Sequence, residues 1–249
     1  MIKLMSKKFF IIAAVMIVIA ILGGSFYWLK QDNNEIVVSD AVTLSQPIIK
    51  WQEITITESK PKMAMHINSP RIIIGNSYGL YSEINKAIAQ HVESLKSDFI
   101  SAATTAAEDN GETNILNIAT EVLLATPRLI SLAFTSTKRF AGINNSEPER
   151  TFTVFDLINN KVMIEGNEIF RDDLAWSRAT TIMKKTLLSD YKGDPSCDLS
   201  FAPKHNGLAA SCIGIDNGRN RNLSLTRNIP ISAIQEFLAP SVLSDITKP

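Results

Sequence analysis

The side chains that could do chemistry in this chain are few and far apart. His66, His91 and His205 are its three histidines, and no His-x-His or His-x-x-x-His spacing sets two of them on one strand or helix face. A catalytic centre needs a nucleophile or metal, a base and an orienting partner that converge. Asp194, His205 and a nearby serine form the combination the sequence offers near its last hairpin, and closeness in sequence supplies no geometry. The acidic pairs have plainer readings: Asp172 and Asp173 stand where a helix begins and suit its dipole, while Glu147 and Glu149 lie in a polar loop. Trp51, Trp176 and Tyr191 read as core or core-edge aromatics rather than as a glycan-stacking platform. The expectation is a non-catalytic chain with no cofactor and no metal.

Where such a chain would work is written near its start. Residues 9–29 carry no charged side chain, and Lys3, Lys7 and Lys8 stand just before them. A helix rising roughly 1.5 Å per residue over that length spans about the 30 Å hydrocarbon core of a bilayer. A cleaved secretory signal also begins with a basic patch and an apolar run. This run is longer than a signal core, and Gly23, Gly24 and Ser25 offer only a weak cleavage site. Both readings send the C-terminal part outward, because the lysines stay on the cytoplasmic side. The expected organisation is a cytoplasmic tail at 1–8, a transmembrane anchor at 9–29, a spacer at 30–49 and an extracytoplasmic domain at 50–249. Formal charge is zero overall and the leading lysines are unopposed, so the remainder is weakly acidic. It has no electrostatic footprint for nucleic acid.

Cys197 and Cys212 are the only cysteines, and both lie on the outward side of the anchor. Disulfides persist there. The segment from Cys197 to Phe201, then Ala-Pro-Lys-His-Asn-Gly, then Leu208 to Cys212 reads as strand, loop and strand. If Phe201 faces Leu208, the same register sets Cys197 opposite Cys212, within bridging reach. Two buried free thiols are the alternative; a metal site would have only His205 near it.

The elements around these residues follow from period and turn chemistry. Strands are expected at 51–58 and 62–67, with Asn68-Ser69-Pro70 as a break, followed by 71–74 and a turn through Gly75 and Gly79. Ile84, Ile88, Val92, Leu95 and Phe99 recur at three and four residues, an amphipathic helix of about 25 residues from Leu80 with His91 beside its apolar stripe. His91 reads as a core-edge residue bonded to backbone. Further strands are expected at 113–124, 128–139, 150–157 and 161–164, then a helix after Ile169, the cysteine hairpin and a strand near 222–225. Ser232 to Gln235 has capping-box spacing for a last short helix that Pro240 would stop. With no regular strand-helix alternation, the fold class is α+β: a mainly antiparallel sheet with two longer helices packed on it, preceded by the transmembrane helix.

Three places together resemble a bacterial extracytoplasmic family of unknown function, DUF3298/DUF4163-like. Met65-His-Ile-Asn-Ser-Pro-Arg-Ile72, with the later Ile84-Asn85 and Ala87-Ile88, is similar to the opening strand and helix of these domains. Phe152-Thr-Val-Phe-Asp-Leu-Ile-Asn-Asn-Lys-Val162 with Glu168-Ile-Phe170 resembles the family's central strand, turn and pre-helix motif. Leu199-Ser-Phe201, Gly207-Leu208 and Ile229-Pro-Ile-Ser-Ala-Ile234 resemble its terminal hairpin and ending, so the likeness covers about residues 50–242. Such domains occur in the outer part of lysozyme-responsive anti-sigma factors and in the N-terminal part of a peptidoglycan deacetylase. Two departures limit the transfer. The family's Gly-Gly-Ala-His run is replaced here by Phe140-Ala-Gly-Ile-Asn-Asn145, with Gly142 alone and no histidine. The eight residues before the span are too few for a sigma-binding segment, so anti-sigma activity is not expected.

The resulting expectation is a membrane-anchored binding or sensing module of the cell envelope whose partner is peptidoglycan or an envelope protein. Its recognition loops would hold Gly142, Asn144 and Asn145 on one side and Lys204, His205 and Asn206 on the other, since long connections on a rigid sheet are where binding concentrates. The alternative is a structural subunit of an envelope complex.

Overall fold

Apolar alternation in the middle of this chain builds two sheets rather than one. The computed structural model describes residues 46–73, 82–105, 112–142, 148–163, 168–190, 197–215 and 223–247. Six strands form the larger sheet in sequence order: β1 (Ile48–Ser59), β2 (Lys62–Ile73), β3 (Asn114–Ala125), β4 (Leu129–Arg139), β5 (Pro148–Asp156) and β6 (Lys161–Met163). The smaller sheet holds β7 (Asp198–Lys204), β8 (Gly207–Ile215) and β9 (Leu223–Pro230). The helices are α1 (Ser82–Thr105), α2 (Asp173–Leu187) and α3 (Pro240–Thr247). The class is α+β, and the larger sheet is mixed: β2 and β3 run parallel across α1, and every other pairing is antiparallel. Residues 1–45, and with them the expected tail, anchor and most of the spacer, lie outside the described residues. Among the described residues no helix is long and apolar enough to cross a membrane.

Consecutive strand residues face opposite ways, and one pair of them sets the layering. Ser200 on β7 accepts a hydrogen bond from the Phe152 amide of β5 at 3.1 Å, while its neighbour Phe201 packs on Trp176 of α2. The smaller sheet therefore lies between the larger sheet and α2. One core forms where Ile84, Ile88, Val92 and Phe99 of α1 meet Met63, Met65, Leu116, Ile118, Ile130, Leu132, Phe134 and Phe155. The other joins Leu124, Leu129 and Val154 to the smaller sheet, α2 and α3. A β-bulge between Val122 and Leu124 turns Leu124 into that second core. Each large side chain buried this way stabilises the fold by about 1.5–3 kcal/mol.

Several expectations change here. β1 begins at Ile48, inside the segment read as spacer, because Ile48 and Ile49 pair with Ile73 and Ile72. β2 runs unbroken through Asn68-Ser69-Pro70, which the sequence marks as a break. The reason is where Pro70 sits. Both backbone groups of Ile72 bond the Asn85 side chain, at 2.8 and 2.9 Å, and the Asn68 carbonyl accepts from Thr120 Oγ1, so Ile72, Pro70 and Asn68 turn their backbone away from β1. The β2–β3 pairing ends at Ile67 and Ile118, so no ladder bond is asked of Pro70. At the C-terminus, residues Ile231–Ala233 form one 3-10 turn with no side-chain cap, and Pro240 starts α3 instead of stopping a helix. A proline at the first helical position loses an amide that has no intrahelical partner.

Turns follow their residues closely. Thr126 Oγ1 accepts from the amides of Arg128 and Leu129 in the β3–β4 turn. Asp156 accepts from the amides of Ile158 and Asn159 and from the Asn159 side chain, closing the turn to β6. Asp172 caps α2 by accepting from the Ala175 amide at 2.7 Å.

Candidate functional site

The two connections singled out for recognition are braced at their bases. In the first, the amide of Ala141 donates to Asn114 Oδ1 at 3.0 Å and that of Gly142, at φ 76°, donates to Glu112 Oε2 at 2.8 Å. Asn114, itself buried, donates onward to the Lys62 carbonyl at 3.2 Å, so the start of β3 clamps the end of β4 to the β1–β2 turn. On the far side Lys138 and Glu149 pair at 3.0 Å. Asn144 and Asn145 lie outside the described residues, so of this trio the structure places Gly142.

The second connection is much tighter than expected. β7 and β8 run on to Lys204 and Gly207, leaving His205 and Asn206 as a two-residue turn with Asn206 at φ 62°. His205 and Asn206 are exposed. The turn's backbone and its neighbour Lys204 are committed to the fold: Lys204 Nζ donates to Asn228 Oδ1 at 3.1 Å, the Asn206 amide to the Ile246 carbonyl at 3.1 Å, and the Ile231 amide to the Asn206 carbonyl. Gly207 cannot carry a side chain, since a Cβ there would stand 2.2 Å from the Ile229 carbonyl oxygen. The turn presents one imidazole and one carboxamide on a rigid mount.

The tight turn also moves the cysteine register. Phe201 pairs with Ala210 and Leu199 with Cys212, two residues away from the expected alignment. Cys197, just before β7, therefore reaches Cys212 diagonally, and the structure joins them with their Cα atoms 5.4 Å apart.

The three histidines occupy three different places: His66 exposed on β2, His91 on α1, His205 in the turn. Among the described residues no cluster of His, Cys, Asp or Glu could hold a metal ion. His91 differs from the backbone-bonded residue expected of it. Its Nε2 lies 3.0 Å from Thr151 Oγ1 on β5, and its ring packs against Phe134 at 4.6 Å. Burial in that apolar setting lowers its pKa from the usual histidine value. Trp176 joins Phe170 and Phe201 in a partly buried aromatic cluster, with centroids 5.2–5.6 Å apart. Trp51, expected in the core or at its edge, is instead 48% exposed on the outermost strand. Asp194 and Tyr191 lie outside the described residues.

One pattern was missed from sequence. Gly75-Asn76-Ser77-Tyr78-Gly79 has Gly-x-Ser-x-Gly spacing and lies between a strand and a helix, the setting of a nucleophile elbow. β2 ends at Ile73 and α1 starts at Ser82, and the connecting residues 74–81, Ser77 among them, lie outside the described residues. His91, the first histidine after them, is bonded to a threonine and stacked on a phenylalanine.

With this arrangement in view, comparison with solved structures is informative about the fold. A DUF3298-family crystal structure from Bacteroides fragilis is similar over 81% of this chain and 97% of its own, with a TM-score of 0.51 at 13% identity. The fold is that of a DUF3298-like domain. A DUF3298-family structure from Pseudomonas aeruginosa PAO1 covers 79% of this chain and 95% of its own at 12% identity, with a TM-score of 0.48. No protein-family model and no curated protein matches the sequence. Within the DUF3298-like fold, the polar residues of the resembling motifs have structural work: Asn85 replaces a strand partner for Ile72 and Asp156 closes a turn.

Proposed function

We propose that this chain is a membrane-anchored, extracytoplasmic binding or sensing module of the cell envelope, acting without catalysis on a glycan or an extracellular protein. The observation that carries this reading is the Cys197–Cys212 bridge, which uses every cysteine in the chain. Such a bond is at home outside the cytoplasm, the side to which the lysine-flanked apolar segment 9–29 would deliver the domain. The exposed His205-Asn206 turn, held on both sides by backbone hydrogen bonds, is the recognition element within the described residues. The full chain in detergent, passed over insoluble peptidoglycan and over immobilised lysozyme, tests it. Retention on either, weakened at least tenfold by changing His205 and Asn206 together to alanine, is the expected result. Retention on neither removes the receptor reading.

A subunit role in an envelope assembly is the second reading, and one feature favours it: β1 is a long exposed edge strand.

A further inference from the structure

Among the described residues, the outer edge of β1 is the longest strand edge without a partner. β1 is twelve residues long and pairs only with β2; among the described residues nothing pairs with its other side. Natural edge strands are usually short, bulged or covered, because a long regular edge templates pairing with another chain. This one is regular over its whole length, rich in Ile and Thr, and leaves Ile48 and Trp51 50% and 48% exposed.

Which backbone groups face outward follows from β2. Ile72, Pro70 and Asn68 point away from β1, so the alternate residues Arg71, Ser69, Ile67, Met65 and Met63 point toward it. Their partners Lys50, Gln52, Ile54, Ile56 and Glu58 spend their backbone groups inward. Ile49, Trp51, Glu53, Thr55, Thr57 and Ser59 thus offer theirs to the open edge.

We propose that the occupant of this edge is β1 of a second copy of the chain, antiparallel, with the two-fold axis at Ile54. A two-fold axis perpendicular to the sheet pairs residues of like parity, so outward-facing residues meet one another as the ladder requires. Placing the axis at Ile54 pairs Ile49 with Ser59, Trp51 with Thr57 and Glu53 with Thr55, which engages all six outward residues of both copies. The same register sets Lys50 against Glu58 of the other copy, twice, in the closely spaced non-hydrogen-bonded positions. Both side chains are exposed, and neither forms an ion pair among the described residues. Neighbouring registers are worse. An axis at Glu53 opposes the two glutamates, and one at Thr55 opposes Lys50 with Lys60. The result would be one continuous sheet through two molecules, independent of what the domain binds.

The test uses the full chain in detergent micelles, with association followed by sedimentation and by cross-linking. Ile54→Cys is expected to give an interchain disulfide in high yield, because only at the axis does a residue meet its own copy, whereas Ser59→Cys is expected to give little. Lys50→Glu is expected to weaken association about tenfold by placing like charges opposite, and Lys50→Glu with Glu58→Lys to restore it. A monomer, as would follow if residues before 46 of the same chain covered the edge, overturns the proposal. So does association that ignores Lys50→Glu, or that the double charge swap fails to restore, or that cross-links no better at 54 than at 59.

Discussion

His91 carries a pH dependence whose sign is fixed by its surroundings. Burial between α1 and the sheet lowers its folded-state pKa, so the folded protein resists protonation that the unfolded chain accepts near pH 6.5. The unfolded state binds more protons in that window, and stability therefore falls as pH drops through and below 6.5. Urea denaturation between pH 7 and 5 should show this slope, and His91→Gln, which keeps a polar partner for Thr151, should flatten it; an unchanged slope would place the effect elsewhere. The disulfide makes a separate contribution. Its sequence separation is 15, for which loss of the cross-link costs about 3 kcal/mol in the chain-entropy account. Cys197→Ser with Cys212→Ala should lower the unfolding free energy by about that amount, measured by denaturation of the oxidised parent and the variant side by side.

Asn85 fixes how α1 meets the sheet. Its carboxamide satisfies both the amide and the carbonyl of Ile72 where β2 has no strand beside it. Asn85→Ala would leave a part-buried N–H and C=O unpaired, at a cost of about 1–3 kcal/mol. Asn85→Asp should recover less than half of that, since a carboxylate cannot donate to the Ile72 carbonyl; equal stability of all three would contradict the role. The strands and the two long helices were legible because period and caps are local signals: Ile84, Ile88 and Val92 for α1, Asp172 and Asp173 for α2. What misled was context. Pro70 reads as a breaker unless one knows that β3 stops at Ile118, and Pro240 reads as a stop when it is a start. The cysteine partners were legible from their number, whereas their register was not, because Ala202 and Pro203 look like loop but extend β7.

The whole molecule joins a two-sheet domain to a leading segment in which residues 9–29 carry no charged side chain. The parallel β2–β3 pair, invisible in any single segment, is what lets α1 cover one face while the smaller sheet and α2 cover the other. The two candidate connections were only half legible: the His205-Asn206 turn is on the surface, but it is a tight turn rather than a long loop, and the Gly142 connection has its described end clamped by Glu112 and Asn114.

The proposed function requires a domain held outside the cytoplasmic membrane. A membrane-impermeant amine reagent applied to intact spheroplasts, followed by mass spectrometry of the recovered chain, reads that directly through exposed lysines such as Lys86 on α1 and Lys185 on α2. Modification of both without lysis is the predicted result. Modification of them only after the membrane is opened would contradict the account.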